Sequence, residues 1–128
     1  LFCVSMGNPH GVIFFEDEND LNKVDIESIG KKIQSNDIFP EGVNVEFATI
    51  LKDKSIRMKV WERGVGRTLA CGSGACATLV AARQQNFSLR KNDIILDGGK
   101  LTINWLDNED IIMSGEVDLV FKGSFYCE

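Results

Sequence analysis

Ser73-Gly-Ala-Cys-Ala-Thr-Leu-Val-Ala-Ala-Arg-Gln84 is the stretch on which the fold turns. Read at the helical period, Ala75, Cys76, Ala77, Leu79, Val80, Ala81 and Ala82 place apolar side chains around nearly the full circumference. Such a helix has no face to give to water and must be buried on all sides. Whatever encloses it has to come from the rest of the chain, and that reads mainly as strand.

Upstream, Leu1 to Met6 and Val12 to Phe15 are short apolar runs separated by Gly7-Asn-Pro-His-Gly11, a strand, loop and strand. The acidic run from Glu16 to Asp20 reads as a solvated loop. Ile26, Ile29 and Ile33 recur at helical spacing after Asp25, a good N-cap, with Pro40 beyond the end, which predicts a surface helix with one apolar stripe. Val43, Val45 and Phe47 alternate with other residues, as do Ile56, Met58 and Val60, with a hairpin turn at Lys52-Asp-Lys54. Glu62 continues the inward face of the second run, where a carboxylate is costly unless something pairs with it.

Downstream the pattern is again strand: Ile94 to Leu96, Leu101 to Trp105, Ile111 to Met113, and Val117, Leu119 and Phe121 alternating. Turns fall at Gly98-Gly99 and at Asp107 to Asp110. The fold class expected is α+β, a strongly curved sheet or partial barrel around a central buried helix, with a second helix outside.

At 128 residues, 44% hydrophobic and 26% charged, the chain has enough apolar material for one globular domain over residues 1–128. A net charge of -5 without a dense Lys/Arg cluster argues against nucleic acid as a partner. No window is apolar enough to span a membrane, and Leu1-Phe-Cys-Val-Ser-Met6 lacks the features of a signal peptide. The expected location is the cytoplasm, with Cys3, Cys71, Cys76 and Cys127 reduced. There is no CxxC and only one histidine, His10, so no metal site is expected. The start without methionine, directly in a strand-like run, suggests a piece of a longer polypeptide.

Chemistry concentrates in Trp61-Glu-Arg-Gly-Val-Gly-Arg-Thr-Leu-Ala-Cys-Gly-Ser-Gly-Ala-Cys76. Cys71 precedes the buried helix, where unsatisfied N–H groups and the positive end of the macrodipole favour an anion, so a depressed thiol pKa is expected. Gly72 and Gly74 leave room for a ligand, and the N–H groups near Gly72 and Ser73 suit a carboxylate. Cys3 and Cys76 read as inert core, and Cys127 carries no signal.

The run from Glu62 to Ala77 resembles the second active-site motif of diaminopimelate epimerases. Gly7-Asn-Pro-His10 and Glu41-Gly-Val-Asn44 resemble two further motifs of that family, in the same order. The match covers essentially the whole chain, as the C-terminal half of a two-domain molecule. The family's first catalytic cysteine, in an Asn-Cys-Gly-Asn-Gly motif, has no counterpart here.

The resemblance implies a mixed sheet rolled around a central helix and a cofactor-independent reaction. One thiolate removes the α-proton of LL-diaminopimelate and an opposing thiol returns one, giving the meso form on the lysine and cell-wall pathway. Cys71 would be one of the two thiols. Asn8, Asn44, Glu62 and Arg63 would hold the distal, unreactive end of the substrate, and Gly72 and Ser73 the reacting carboxylate. His10 resembles a family histidine beside the thiols. The partners implied are the diaminopimelate substrate and the N-terminal domain of the same enzyme, with a homodimer as a further assembly.

Arg67 departs from the pattern, standing where the family usually has an acid. Three rivals remain: a proline racemase-like enzyme, disfavoured by the two Asn motifs; a cysteine hydrolase on Cys71 and His10, lacking a recognisable orienting Asn or Asp; and a non-catalytic binding module.

Overall fold

The structure, a computed structural model, describes residues 1–127. In chain order its elements are β1 (Phe2–Ser5), β2 (Pro9–Phe15), α1 (Glu18–Lys23), α2 (Ile26–Gln34), β3 (Asn44–Ile50) and β4 (Ile56–Glu62). There follow β5 (Gly66–Thr68), α3 (Gly72–Gln84), β6 (Lys91–Leu96), β7 (Gly99–Trp105) and β8 (Ile111–Gly115). All strands belong to one mixed sheet in the order β1-β2-β3-β4-β6-β7-β8, antiparallel except for β2·β3 and β4·β6.

The sheet curls around α3, as expected from that helix's uniformly apolar surface. Ala75, Ala77, Leu79, Ala81 and Ala82 pack with Val12, Ala48, Met58, Val60, Ile94 and Ile103 in one core. A second core lies on the outer face, where Val45 and Phe47 meet Leu21 of α1 and Ile26 of α2. β3 is therefore buried on both faces, unlike the half-buried strand its alternation predicted. Helix α2 sits so close to β4 that a Cβ on Gly30 would fall 2.4 Å from Trp61 Cγ. Asp25 caps α2, accepting from the Ser28 N–H as expected.

Strand β4 divides its outer edge. Its first residues, Ile56 and Arg57, pair with Ile94 and Ile95 of β6, and its last, Val60 to Glu62, pair with Thr68 to Gly66 of β5. The joint between the two halves of the sheet is thus two residue pairs wide, reinforced by Arg57, which donates to the Ile95 carbonyl and pairs with Asp97. The hairpin into β5 turns at Gly64 and Gly66, with φ of 76° and 101°, a conformation most side chains resist. From there the chain drops to Cys71 at the start of α3.

Four further expectations are corrected. The acidic run is not a loop throughout, because Asp17 caps the Asp20 N–H and starts α1, which buries Leu21. The alternation of Val117, Leu119 and Phe121 forms no strand; the segment is exposed and pairs with no strand among the described residues. Residues 66–68 form a short strand where none was expected. Cys3 is exposed rather than core, because the β1 register turns Phe2 and Val4 inward.

Candidate active site

The β2–β3 register places His10 beside Asn44, and Val12 beside Glu46. The β3–β4 register sets Glu46 against Val60 and Ala48 against Met58, so these residues share the face toward α3. A polar corner, His10, Asn44 and Glu46, thereby forms inside an otherwise apolar barrel, next to the N-terminus of α3. All three are buried.

Cys71 is the N-cap of α3, with extended backbone and a side chain that accepts from the Gly74 N–H at 3.4 Å. Its Sγ also lies 3.7 Å from Ser73 Oγ. The thiol is only 9% exposed, and this reverses the expectation of a depressed pKa. Burial pushes the Cys71 thiol up; the Gly74 N–H and the Ser73 hydroxyl pull it down, and Glu62 and Glu46 add to the rise. The helix tip that favours an anion is itself enclosed, so losing water costs the thiolate more than the tip returns. Cys76, half-buried one turn along, is raised by burial as well, and by Cys71 beside it.

The other sequence-derived residues fall into two groups. Asn8 and His10 reach Cys71 through Ser73: Asn8 Nδ2 donates to Ser73 Oγ at 3.3 Å, and Asn8 Oδ1 faces His10 Nε2 at 3.1 Å. Gly72, the first residue of α3, has Met113 of β8 over it, 3.1 Å from where a Cβ would sit. Asn44 acts on the backbone instead, donating to the Pro9 carbonyl at 3.3 Å and accepting the Arg63 N–H at 2.8 Å. Glu62 is half-buried and takes the Thr68 hydroxyl as its donor. Arg63 is exposed, its guanidinium on the Glu41 carbonyl at 3.0 Å. Arg67 pairs with Asp97, away from the thiol, so it does not set the local charge at Cys71.

Glu46 was not singled out from the sequence. Its carboxylate is fully buried, with Oε1 2.6 Å from His10 Nδ1 and Oε2 without a partner. Burial raises its pKa against the opposing pull of His10. The signal was a charged residue inside a strand with apolar segments on both sides, where a carboxylate is rare unless paired.

Among the described residues no three His, Cys, Asp or Glu side chains cluster as a metal site, and no helix is long and apolar enough to cross a membrane. The arrangement is a buried thiol at a helix N-terminus, backed by Asn8 just before β2, by His10 on β2, and by acids on β3 and β4.

Comparison with known proteins agrees in sequence and in shape. The phenazine biosynthesis protein of the PhzF family from Bacillus anthracis superposes with a TM-score of 0.59 at 23% identity, over 84% of this chain and 34% of that one. A PhzC/PhzF protein from Clostridium difficile does so with a TM-score of 0.55 at 17% identity, over 79% and 35%. These share the fold. In sequence, the diaminopimelate epimerase of Acidiphilium cryptum is 49% identical over 119 residues, 93% of this chain and 42% of the relative. That of Elusimicrobium minutum is 49% identical over 123 residues, 95% and 44%. The chain therefore spans less than half the length of these relatives. The diaminopimelate epimerase family model matches residues 2–120, and the chain belongs to that family.

Proposed function

We propose that the chain supplies one half of an epimerase interconverting LL- and meso-diaminopimelate, with Cys71 as one of two thiols acting on opposite faces of the α-carbon. The observation that carries this reading is the placement of Cys71. It caps α3 within reach of Ser73 and Asn8, with the first N–H groups of the helix beside it. In one direction the Cys71 thiolate takes the α-proton, the electron pair spreads onto the carboxylate, and the opposing thiol delivers its proton to the other face. The N–H groups of Gly72 and Ser73 meet the charge that develops on that carboxylate. Asn8, Glu62 and Arg63 hold the distal amino-acid end, Arg63 on its carboxylate and Glu62 on its ammonium, with Asn44 fixing the Arg63 backbone. His10 backs Asn8. No cofactor is needed.

The second thiol comes from a domain outside this chain. The exposed Val117, Leu119, Val120 and Phe121 give that domain an apolar surface to cover. The test is α-deuterium incorporation into LL-diaminopimelate in D2O by three forms: the chain alone, the chain joined to the N-terminal half of a relative, and the joined form with Cys71→Ala. Exchange is expected only in the intact joined form. Undiminished exchange with Cys71→Ala removes the thiol from its role, and no exchange in any form removes the substrate.

A further inference from the structure

Four contacts link Glu46 to Cys71 without a break. Glu46 Oε1 meets His10 Nδ1 at 2.6 Å, His10 Nε2 meets Asn8 Oδ1 at 3.1 Å, Asn8 Nδ2 meets Ser73 Oγ at 3.3 Å, and Ser73 Oγ meets Cys71 Sγ at 3.7 Å. We propose that Glu46 is a positioning residue that sets the direction of this chain, so that its last donor, the Ser73 hydroxyl, points at the Cys71 sulfur.

The argument turns on where protons sit. Glu46 Oε2 is buried with no partner, so a bare carboxylate there would be charged with one oxygen unsatisfied. The Glu46–His10 pair therefore keeps a proton between Oε1 and Nδ1. Whether that proton rests on the carboxyl or on the ring, His10 Nε2 carries its own hydrogen as well. That hydrogen needs an acceptor, which fixes the Asn8 amide with oxygen toward His10 and nitrogen toward Ser73. Ser73 Oγ then accepts from Asn8, and its hydrogen is free for Cys71. Without Glu46, His10 can move its proton to Nδ1, the amide can turn over, and the Ser73 hydrogen can point back at Asn8.

Gly74 ties both ends together. Its N–H donates to Cys71, while a Cβ on it would lie 2.7 Å from Glu46 Oε1 and 3.2 Å from Cys71 Sγ. The titratable groups around the thiol are Glu46 from β3, Glu62 from β4 and Cys76 from α3 itself, with His10 of β2 on Glu46. Glu62 and Glu46 both oppose the thiolate, and a Glu46–His10 pair that keeps its proton lessens the share of Glu46. Under the proposed function this keeps the reacting thiol ionisable despite its burial; the hydrogen-bond chain and its test do not depend on the substrate.

Two measurements on the full chain decide it. The single histidine gives one set of ring 15N resonances. The Nε2 resonance is expected to show an attached hydrogen, and a bare Nε2 would overturn the proposal. Second, the pH midpoint of Cys71 alkylation by iodoacetamide is read at that peptide by mass spectrometry. Glu46→Ala, Asn8→Ala and Ser73→Ala should each raise it by about half a pH unit to one, and Glu46→Ala with Ser73→Ala by no more than Ser73→Ala alone. A merely structural Glu46 leaves the midpoint unchanged, and an acid acting only by its charge lowers it on removal; either result overturns the assignment. Should Glu46→Ala not fold, Asn8→Ala and the His10 spectrum of the unmodified chain decide. Because no substrate enters either experiment, their failure is distinct from failure of the epimerase reading.

Discussion

Gly74→Ala isolates the closeness of α3 to the buried acid. Gly74 is the third residue of the helix, and on helix propensity alone the change would stabilise by about 0.5–1 kcal/mol. Against that, the new Cβ would meet Glu46 Oε1 at 2.7 Å, Cys71 Sγ at 3.2 Å and Glu46 Cδ at 3.3 Å. The carboxylate cannot swing aside, since it is fully buried and held to His10 at 2.6 Å. Overpacking of this kind costs about 1–3 kcal/mol, so the net change is a destabilisation of about 1–2 kcal/mol. For a domain of this size that is a fall in Tm of roughly 3–8 °C. Urea and thermal unfolding of the variant measure it. The same change in a Glu46→Ala background should cost nothing, a coupling of about 1 kcal/mol or more. An unchanged or higher Tm for Gly74→Ala alone would refute the contact, and with it the packing that joins Glu46 to the thiol.

Asn44→Ala should lower stability by about 1–2 kcal/mol in denaturant unfolding, because it removes a partner from the part-buried Pro9 carbonyl and Arg63 N–H; a loss within about 0.5 kcal/mol would show those bonds are not made. Stability should also decline at alkaline pH. Burial holds the Cys71 and Cys76 thiols above their ordinary value in the folded state, so the unfolded thiols ionise first as pH rises. Their contribution is complete below the unfolded pKa, near about 8.5, and is lost as pH climbs through the folded values. Urea midpoints followed upward from about pH 8 should fall less steeply in Cys71→Ala with Cys76→Ala than in the parent, and equal slopes would contradict the raised values.

The central helix and its enclosure were legible because a 3.6-residue period with no polar stripe leaves one solution. The thiol at its tip was legible for the same reason, since the glycines around Cys71 have no use in an ordinary strand. Sequence misled where partners decide the outcome. Val117, Leu119 and Phe121 alternate as a strand does, yet a strand needs a neighbour, and the described residues offer none there. Cys3 was placed wrongly by one step of register, the error to which a two-residue period is most prone. Glu46 was passed over because its neighbours Val45 and Phe47 carried the alternation, and only the pairing of β2 with β3 brings His10 within reach of it. The thiol pKa was misjudged in sign because a helix terminus is visible in sequence while the depth at which it sits is not.

The two-pair joint between β4 and β6 has a mechanical consequence. The sheet behaves as two leaves, one from β1 to β5 and one from β6 to β8, whose shared ladder is too short to hold their angle. Helix α3 touches both leaves and acts as the strut between them. A motion that parts the leaves must therefore loosen the helix, and local opening at the joint and around α3 should form one cooperative unit in hydrogen exchange. The Cys71 sulfur sits at the end of that strut, so its exposure follows the angle between the leaves.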